Sequence, residues 1–488
     1  MLCSKDKKTL VTFPAGKADT KYTLIPYFTT VGQYAFYSSD KVTNITFPKS
    51  VTGIKTRALA LCKNLKSLSF MGTDNVPTLD ADILYQSTNP KAVTIFVRKK
   101  WYESNKSVVD NYNNMFKEVH PSFVSAAGYD RGTEFFPTST DNVGVISFYT
   151  PRTSVIIDKK AKESANTDVY GKAWPEKTYT VSSVLDFAYQ NDAKVKDIVM
   201  LADIGSIGLD AFRAGTQLKG LYFVGNTPAT LNSIGYEMPD DYPFNDNQSI
   251  YVKKSKVDDY KKVWGQGHTL NITYKIPQTT SRNGGSVCFP FDVVYPKNLG
   301  DNDIKPYVPM EYTHAYDTGN PFVKAYSIDN YYVPAFVGAL IRSKETASVN
   351  SYCQMDETQA HDKSALTNLG YNETGNNCMM GAVEDTLIQN VNGYQYYAFS
   401  KSQGKFVKLE AGVNFPYFKA YLRMAGQTPS HAMGFMIVFN DGSTVTGIDG
   451  PTDATEGEDT PYYNLDGMRV NKPTRGIYIH NGKKVIIK

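Results

Sequence analysis

Histidines are the residues of this 488-residue chain best suited to bind a metal or to act as general bases. They are His120, His268, His314, His361, His431 and His480. None is paired with another at the His-x-x-x-His spacing, which would place two ligands on one helix face. The sequence therefore predicts structural or surface histidines, and it predicts no metal or other cofactor.

Cysteines offer the second kind of chemistry, namely nucleophilic catalysis or cross-linking. They are Cys3, Cys62, Cys288, Cys353 and Cys378, and none lies in a Cys-x-x-Cys pair. A Cys353–Cys378 disulfide is possible if the protein is exported, but free, partly buried thiols are the favoured interpretation. Cys288 lies in an apolar strand pattern, so we expect it to be buried and inert, since catalysis needs a polarised thiol.

Oxygen-rich motifs are few. Asp301-Asn302-Asp303 clusters oxygen ligands, but Ile304 and Lys305 interrupt the alternating carboxylates that a calcium loop needs. Neither a nucleophile elbow nor a phosphate-binding loop is present. A glycosidase carboxylate pair stays open as an alternative, because such carboxylates meet only in space. The sequence predicts that the chain is not an enzyme.

The composition narrows the class of protein further. Lys and Arg number 52 and Asp and Glu 48, a net charge of +4 that argues against a nucleic-acid partner. No run of 18 apolar residues occurs, so no transmembrane segment is predicted. Tyr is abundant, at 35 residues beside 25 Phe and 3 Trp. Tyr suits half-buried strands and wet contact surfaces, so the composition favours a β-rich protein.

Apolar residues recur every 23 positions near the start of the chain. One copy holds Val31, Ala35, Phe36, Val42, Ile45 and Phe47. The next, shifted by 23, holds Ile54, Ala58, Leu59, Leu65, Leu68 and Phe70. A third, with two extra residues, holds Leu79, Ile83, Leu84, Val93 and Ile95. Each copy ends in an alternating segment typical of a short strand, so the pattern predicts stacked repeats with one continuous core.

A second array follows the same spacing. Its first unit holds Val184, Ala188, Tyr189, Val195, Ile198 and Met200. Its second unit holds Ile207, Ala211, Phe212, Leu218, Leu221 and Phe223. An irregular final unit ends in the strand 250–252. Between the two arrays, strands predicted over 143–149 and 154–158 cap or begin the second array.

Both arrays close with a similar helix. Val109, Tyr112 and Phe116 fall on one helix face, as do Val257, Tyr260 and Trp264. Ser107 and Ser255 are the predicted N-caps of these helices. An amphipathic helix of this kind covers the apolar end that a repeat array would otherwise expose.

The repeat unit resembles the BspA-type leucine-rich repeat over about residues 1–120 and 179–275. The resemblance rests on Ile207-Gly208-x-x-Ala211-Phe212, an apolar residue seven positions after the Ala, and strands such as Ile45-Thr46-Phe47-Pro48. Residues 5–16 are similar to the hairpin unit that interrupts such arrays. The resemblance implies an exported surface protein of Bacteroidales bacteria, associated with adhesion. It also implies that residue 1 lies inside an array, so the lack of a signal peptide is weak evidence against export.

The pattern changes after the second array. Residues 277–285 are predicted to form a loop, and short β-like runs follow at 287–291, 323–328, 339–341, 394–399, 406–409, 419–422 and 435–439. These runs predict a β-sandwich. Residues 449–460 are predicted to be a flexible linker. Residues 462–488 carry the hairpin signal Asn481-Gly482 and resemble the C-terminal sorting segment of type IX secretion.

The sequence therefore predicts a mixed, β-rich protein in four segments: two short leucine-rich repeat arrays with cap helices (1–120 and 121–275), a β-sandwich (276–447) and a tail (448–488). The predicted function is adhesion or ligand binding at the cell surface or after secretion, with a host protein or glycan as partner and possible contact with export machinery. Alternatives are a structural spacer and a carbohydrate-active accessory protein. The predicted contact residues are exposed positions on the strand faces: Thr46, Ser69, Thr94, Val199, Tyr222 and Tyr251.

Overall fold

In a computed structural model the chain forms two compact units, residues 1–273 and 274–488. The structure describes all residues except 17–19, 26, 73, 75, 80, 123–124, 127–133, 147–151, 187, 190–191, 214, 216, 232–241, 266, 298, 301–302, 315–320, 346, 359–360, 370, 372–377, 390, 392, 426–433, 441–461, 464–468, 471–475, 481–482 and 488. The predicted linker 449–460 and the turn residues Asn481 and Gly482 lie outside the described residues.

The first array consists of two ladders of short strands, as far as the described residues show. A five-stranded parallel sheet contains Lys21–Thr23, Asn44–Phe47, Ser67–Phe70, Thr94–Arg98 and Glu118–Ser122. A four-stranded sheet contains Leu2–Cys3, Thr9–Thr12, Thr30–Val31 and Gly53–Ile54. Leu2–Cys3 runs antiparallel to Thr9–Thr12, so a hairpin is present, but it begins at Leu2 rather than within the predicted range 5–16.

The 23-residue spacing is the hydrogen-bonding register of the sheet. Ile45 lies opposite Leu68, and Phe47 lies opposite Phe70, with the rings stacked at 4.9 Å. Leu68 then lies opposite Ile95, 27 residues on. The third strand thus follows four extra residues rather than the two we predicted, because the 3-10 helices Ala81–Leu84 and Pro90–Ala92 lengthen that repeat.

Helices close the array at the predicted place. Helix α1 spans Lys99–Ser104 and α2 spans Lys106–Met115. Tyr112 and Phe116 are buried at the end of the array core, as predicted. The N-cap prediction is wrong, because α2 begins directly after α1, so that Ser107 lies inside the helix and Asn105 is the N-cap.

The second array is built in the same way. A five-stranded parallel sheet contains Ser154–Ile157, Asp197–Met200, Gly220–Phe223, Ser249–Val252 and Asn271–Thr273. Helix α3, Val257–Trp264, closes it with Tyr260 and Trp264 buried. Ser255 is not its N-cap, because the 3-10 helix Lys254–Lys256 leads straight into α3.

The connecting segment contributes to the second array and to a further sheet. Ser154–Ile157 is the first strand of the parallel sheet, so this part begins the array as predicted. A seven-stranded sheet contains Ser125–Ala126, Glu134–Pro137, Asn142–Ile146, Lys160–Glu163, Lys177–Val184, Ser206–Ile207 and Thr230–Leu231. Asn166–Thr167 and Ala173–Trp174 form a small hairpin, which we call the docking hairpin.

The largest sheet of the second unit, within its described residues, has nine strands. The nine-stranded sheet contains, in spatial order, Gly285–Val287, Ala339–Arg342, Lys305–His314, Pro321–Ser327, Gly434–Phe439, Lys405–Leu409, Tyr394–Ser400, Lys419–Ala425 and Cys378–Ala382. Its first strand lies against its next-to-last strand, Lys419–Ala425, since the Ala420 amide donates to Ser286 Oγ and the Cys288 amide donates to Phe418 O, each at 3.3 Å. The sheet therefore folds back on itself.

Smaller elements complete the second unit. A four-stranded sheet contains Ile276–Thr280, Val349–Met355, Val293–Val294 and Tyr332–Val333, a two-stranded sheet contains Thr386–Leu387 and Asn414–Phe415, and α4 spans Ser364–Asn368. The loop predicted from residue 277 is wrong at its start, because Ile276–Thr280 finds a partner strand about 70 residues away in Val349–Met355. The tail forms a sheet of Tyr462–Tyr463, Arg469–Val470, Gly476–His480 and Lys483–Ile487.

Candidate ligand-binding surface

The strand-face residues chosen from the sequence are buried. Ser69 is fully buried and Tyr251 is 8% exposed, and the other members of the set lie within this range. That set is Thr46, Ser69, Thr94, Val199, Tyr222 and Tyr251. The predicted exposure of these side chains is therefore wrong. Ser69, for example, contacts a segment that lies 68 residues further along the sequence.

The connecting segment covers the strand face of the first array. Ser69 Oγ donates a hydrogen bond of 2.8 Å to Pro137 O. Beside it, Phe96 and Phe136 share a small buried cluster with Met71 and Leu185. In the second array, the Tyr222 and Tyr251 rings stack on each other at 4.7 Å. These faces serve packing within the unit rather than contact with solvent.

A buried polar cluster lies under the same cover. Tyr179 Oη donates to Glu163 Oε2 at 2.9 Å, and His120 Nε2 lies 3.7 Å from that oxygen. The His120 ring also packs on Trp174 at 4.2 Å. Burial lowers the pKa of His120 to about 4, although the Pro121 carbonyl favours its protonated form. These side chains are buried, and they join the strand Glu118–Ser122 of the first array to the strands Lys160–Glu163 and Lys177–Val184.

Exposed aromatic side chains gather instead on the turns of the first array. Tyr34, Tyr37 and Tyr85 are 37%, 51% and 39% exposed. With Leu61 and Gln86 they line an open groove of about 460 Å³, which we call the tyrosine groove. The Tyr34 and Tyr37 rings stand nearly perpendicular, at 78° and 5.9 Å, so the groove has an aromatic wall with two orientations. Its volume falls in the range of about 300–1,000 Å³ found for small-ligand sites.

Several residues in and beside the groove have a left-handed backbone conformation. Tyr34 and Arg57, 23 residues apart, have φ angles of 58° and 59°, and Leu61 and Gln86 have 59° and 50°. Such angles are uncommon outside Gly and mark a tight turn. The turns are tied to one another, because the Phe36 amide donates to Ala58 O at 2.8 Å and Leu61 to Tyr85 O at 3.0 Å. The groove is thus fixed by the stacking of the repeats.

Arg57 sets the electrostatics beside the groove. Its guanidinium lies 4.3 Å from the centroid of the Tyr85 ring, and Nη1 donates to Tyr34 Oη at 3.3 Å. Nη2 lies 3.7 Å from Asp82 Oδ2. The hydrogen bond to Tyr34 is the main reason that the pKa of Arg57 is raised. The Arg57 cation is therefore paired with the Asp82 carboxylate, and it contacts two of the three tyrosines, Tyr34 and Tyr85.

A second cavity of about 340 Å³ lies between α1 and the docking hairpin. It is lined by Lys99, Glu103, Ser164, Asn166, Thr167, Asp168 and Val169. Asp168, one of the two acidic residues in the lining, already accepts from Tyr102 Oη at 2.8 Å and Trp174 Nε1 at 2.9 Å. This carboxylate is committed to joining the hairpin to the helix, so the cavity offers a weaker site than the tyrosine groove.

Several of the residues suited to chemistry take part in structural contacts in the described part of the chain. No group of three or more His, Cys, Asp or Glu side chains could hold a metal there. His361 Nδ1 lies 2.9 Å from Asp292 Oδ1, but Asp292 also accepts from the Ala335 and His361 amides and so fastens a loop. In the oxygen-rich motif 301–303, which the sequence did not predict to bind calcium, Asp301 and Asn302 lie outside the described residues.

The cysteines follow the favoured interpretation where they are described. Cys3, Cys62, Cys288 and Cys353 are free thiols, and the last three are buried. Burial raises the pKa of the Cys62 thiol to about 12 and raises that of Cys288 further. Such thiols are poor nucleophiles at neutral pH.

The sequence contained one usable signal for the tyrosine groove. Tyr34 and Tyr37 flank Ala35-Phe36, which are core positions, so they are aromatic residues that the repeat pattern leaves outside the core. Tyr85 follows Leu84, another core position. Surplus aromatics next to core positions in successive turns indicate an exposed cluster.

Residues 18–117 match the protein-family model described as BspA type Leucine rich repeat region, in six copies. The match covers less than half of the chain and includes all residues of the tyrosine groove. Residues 18–117 of the first array are therefore similar to BspA-type leucine-rich repeats. Among curated proteins, none matches the chain.

A match was also found among solved structures, the crystal structure of the pneumococcal vaccine antigen PcpA. It has 15% sequence identity, covers 52% of this chain and 67% of that chain, and has a TM-score of 0.14. A score this low carries no conclusion about fold or function. Among the described residues, no helix combines the length and hydropathy needed to span a bilayer.

Proposed function

We propose that the chain is a non-enzymatic surface protein that acts by binding, with the tyrosine groove as its contact site and a host protein or glycan as its partner. The observation that carries the proposal is the clustering of three exposed tyrosines on stacked turns. Exposed aromatic residues anchor partners because they bury a large area at a small cost in conformational entropy. An array that holds them on a hydrogen-bonded scaffold presents them ready for contact.

Export is part of the same proposal. BspA-type repeats resemble those of exported adhesion proteins, and residues 462–488 are similar to type IX sorting segments. The paired strands Gly476–His480 and Lys483–Ile487 are consistent with a folded tail of that kind. We propose secretion or display at the cell surface, with the tail contacting export machinery, and an origin among Bacteroidales.

The spacer alternative would need polar faces throughout, and the tyrosine groove argues against it. A carbohydrate-active accessory role in the second unit would need converging carboxylates. Asp292, whose side chain is 10% exposed, lies 2.9 Å from His361 Nδ1 and accepts hydrogen bonds from the Ala335 and His361 backbone amides. This commitment favours a structural role for Asp292.

A binding screen tests the proposed function. The full chain is applied to immobilised extracellular-matrix proteins and to a glycan array, beside a Tyr37→Ala/Tyr85→Ala variant. We expect binding to one class of partner and its loss in the double variant. Tyr27→Ala is the matched control, since Tyr27 is equally exposed on the same array but does not line the groove. Equal binding by the wild type and the double variant would contradict the proposal.

A further inference from the structure

The lining of the tyrosine groove carries information about the chemistry of its ligand. Three tyrosines, Leu61 and Gln86 supply ring faces, one aliphatic surface, hydroxyl groups and an amide. None of these residues is Asp, Glu, His, Lys or Arg. A ligand that fills the groove must therefore combine apolar faces with neutral hydrogen-bonding groups.

The charges next to the groove disfavour an ionic ligand. The Arg57 guanidinium covers a face of Tyr85 and is matched by Asp82. A cationic ligand would meet a second cation already placed over the ring that should receive it. An anionic ligand would have to displace or compete with Asp82 for Arg57. Charge complementarity is best for a neutral ligand.

The backbone around the groove disfavours an extended peptide. Peptides that bind by strand addition pair with an open strand edge. All five lining residues lie in turns, and the Phe36 and Leu61 amides already donate to the next repeat. Such turns offer side chains to a ligand rather than a row of backbone partners.

From these observations, and resting on the proposed function, we infer that the tyrosine groove binds a neutral oligosaccharide. A pyranose ring has a face of C–H groups that packs flat on a tyrosine ring and a rim of hydroxyls that hydrogen-bond to tyrosine hydroxyls and the Gln86 amide. The perpendicular Tyr34 and Tyr37 rings contact two faces of a sugar unit or two successive units. Arg57 holds Tyr34 and Tyr85 in place and is a positioning residue.

Calorimetry with the full chain tests this inference. The probes are neutral hexasaccharides (maltohexaose, cellohexaose, mannohexaose and xylohexaose), hexagalacturonate as an acidic sugar, choline as a cation and a proline-rich decapeptide. The proteins are the wild type, Tyr37→Ala, Tyr37→Phe and the control Tyr27→Ala, each checked for wild-type thermal unfolding. We expect one or more neutral sugars to bind. Tyr37→Ala should weaken binding about tenfold, the scale of one lost ring stack, while Tyr37→Phe changes it less than about threefold and Tyr27→Ala leaves it unchanged.

Other outcomes overturn the inference in different ways. Preference for hexagalacturonate or choline would overturn the neutral class, and sugar binding that is insensitive to Tyr37→Ala would overturn the groove. Groove-dependent binding of the decapeptide or of a matrix protein, with the sugars silent, would overturn the sugar ligand and leave the proposed function standing. Silence of every sugar, peptide and matrix protein would overturn both.

Discussion

Tyr102 and Asp168, 66 residues apart in sequence, are joined by a hydrogen bond of 2.8 Å from the tyrosine hydroxyl to Oδ2. The same oxygen accepts from Trp174 Nε1, and Oδ1 accepts from the Tyr170 and Lys172 amides. Burial alone would raise the pKa of Asp168, but these four donors lower it. The carboxylate thus fastens the docking hairpin to the cap helices of the first array.

We expect Asp168→Ala to lower the free energy of unfolding of the first unit by about 1–3 kcal/mol, because it leaves buried donors without an acceptor. Trp101, Trp174 and Trp264 all lie in that unit, so urea unfolding followed by tryptophan fluorescence reports on it alone. Glu176→Ala is the control, since it removes only a surface ion pair with Lys162. Equal midpoints for Asp168→Ala and the control would contradict the fastening role.

In both arrays, a buried aromatic side chain of the cap helix donates a hydrogen bond to a backbone carbonyl of the array. Tyr112 Oη donates to Pro77 O at 3.0 Å and accepts from the Leu79 amide at 2.8 Å, while Trp264 Nε1 donates to Ala229 O at 2.8 Å. We expect Tyr112→Phe to cost about 1–3 kcal/mol of unfolding free energy, although it keeps the ring in place. Equilibrium urea unfolding measures this cost, and a variant as stable as the wild type would show that the hydroxyl does not hold the cap.

The buried His120 makes the stability of the first unit depend on pH. Burial lowers its pKa from 6.5 to about 4 in the folded chain, so between these values only the unfolded chain binds the proton. Stability should therefore fall as the pH drops through this window, by about 1.4 kcal/mol per pH unit. Glu118, Lys172 and Lys177 also act on this ring.

Urea unfolding of the wild type and His120→Gln at pH 7, 6, 5 and 4 measures this dependence. We expect the variant to lose the His120 part of the slope, because its side chain does not titrate. The same slope in both proteins would show that other groups cause the pH dependence.

Gly381 in the second unit packs so closely against Cys288 and Phe336 that a larger side chain does not fit. A Cβ atom added at Gly381 would lie 2.2 Å from Cys288 Sγ and 3.0 Å from Phe336 O. Gly381→Ala should therefore destabilise this unit by about 1–3 kcal/mol, the usual cost of an overpacked site. Calorimetry measures this loss in the unfolding transition of the second unit, which is the transition without a change in tryptophan fluorescence. Gly285→Ala, whose Cβ would meet only ordinary contacts at 3.7 Å or more, should leave that transition unchanged. Equal losses in both variants would contradict the packing account.

Local and periodic features of this fold could be read from the sequence. The 23-residue spacing predicted the register of Ile45 with Leu68, and the spacing of Val109 and Tyr112 predicted the buried face of α2. The burial of Ser69 could not be predicted, because its partner Pro137 lies 68 residues away on a segment with no repeat pattern. The tyrosine groove was missed because the φ angle of 58° at Tyr34 is a property of the stacked turns and not of the alternation that marks strands.

The central claim is that the chain binds its partner through the tyrosine groove. The most direct test is to take the strongest partner from the screen and measure its dissociation constant with the wild type, Tyr37→Ala and Tyr27→Ala at equal fold stability. The groove account predicts that Tyr37→Ala weakens binding about tenfold or more and that Tyr27→Ala does not. Equal affinities for all three proteins, or a larger loss in Tyr27→Ala, would contradict it.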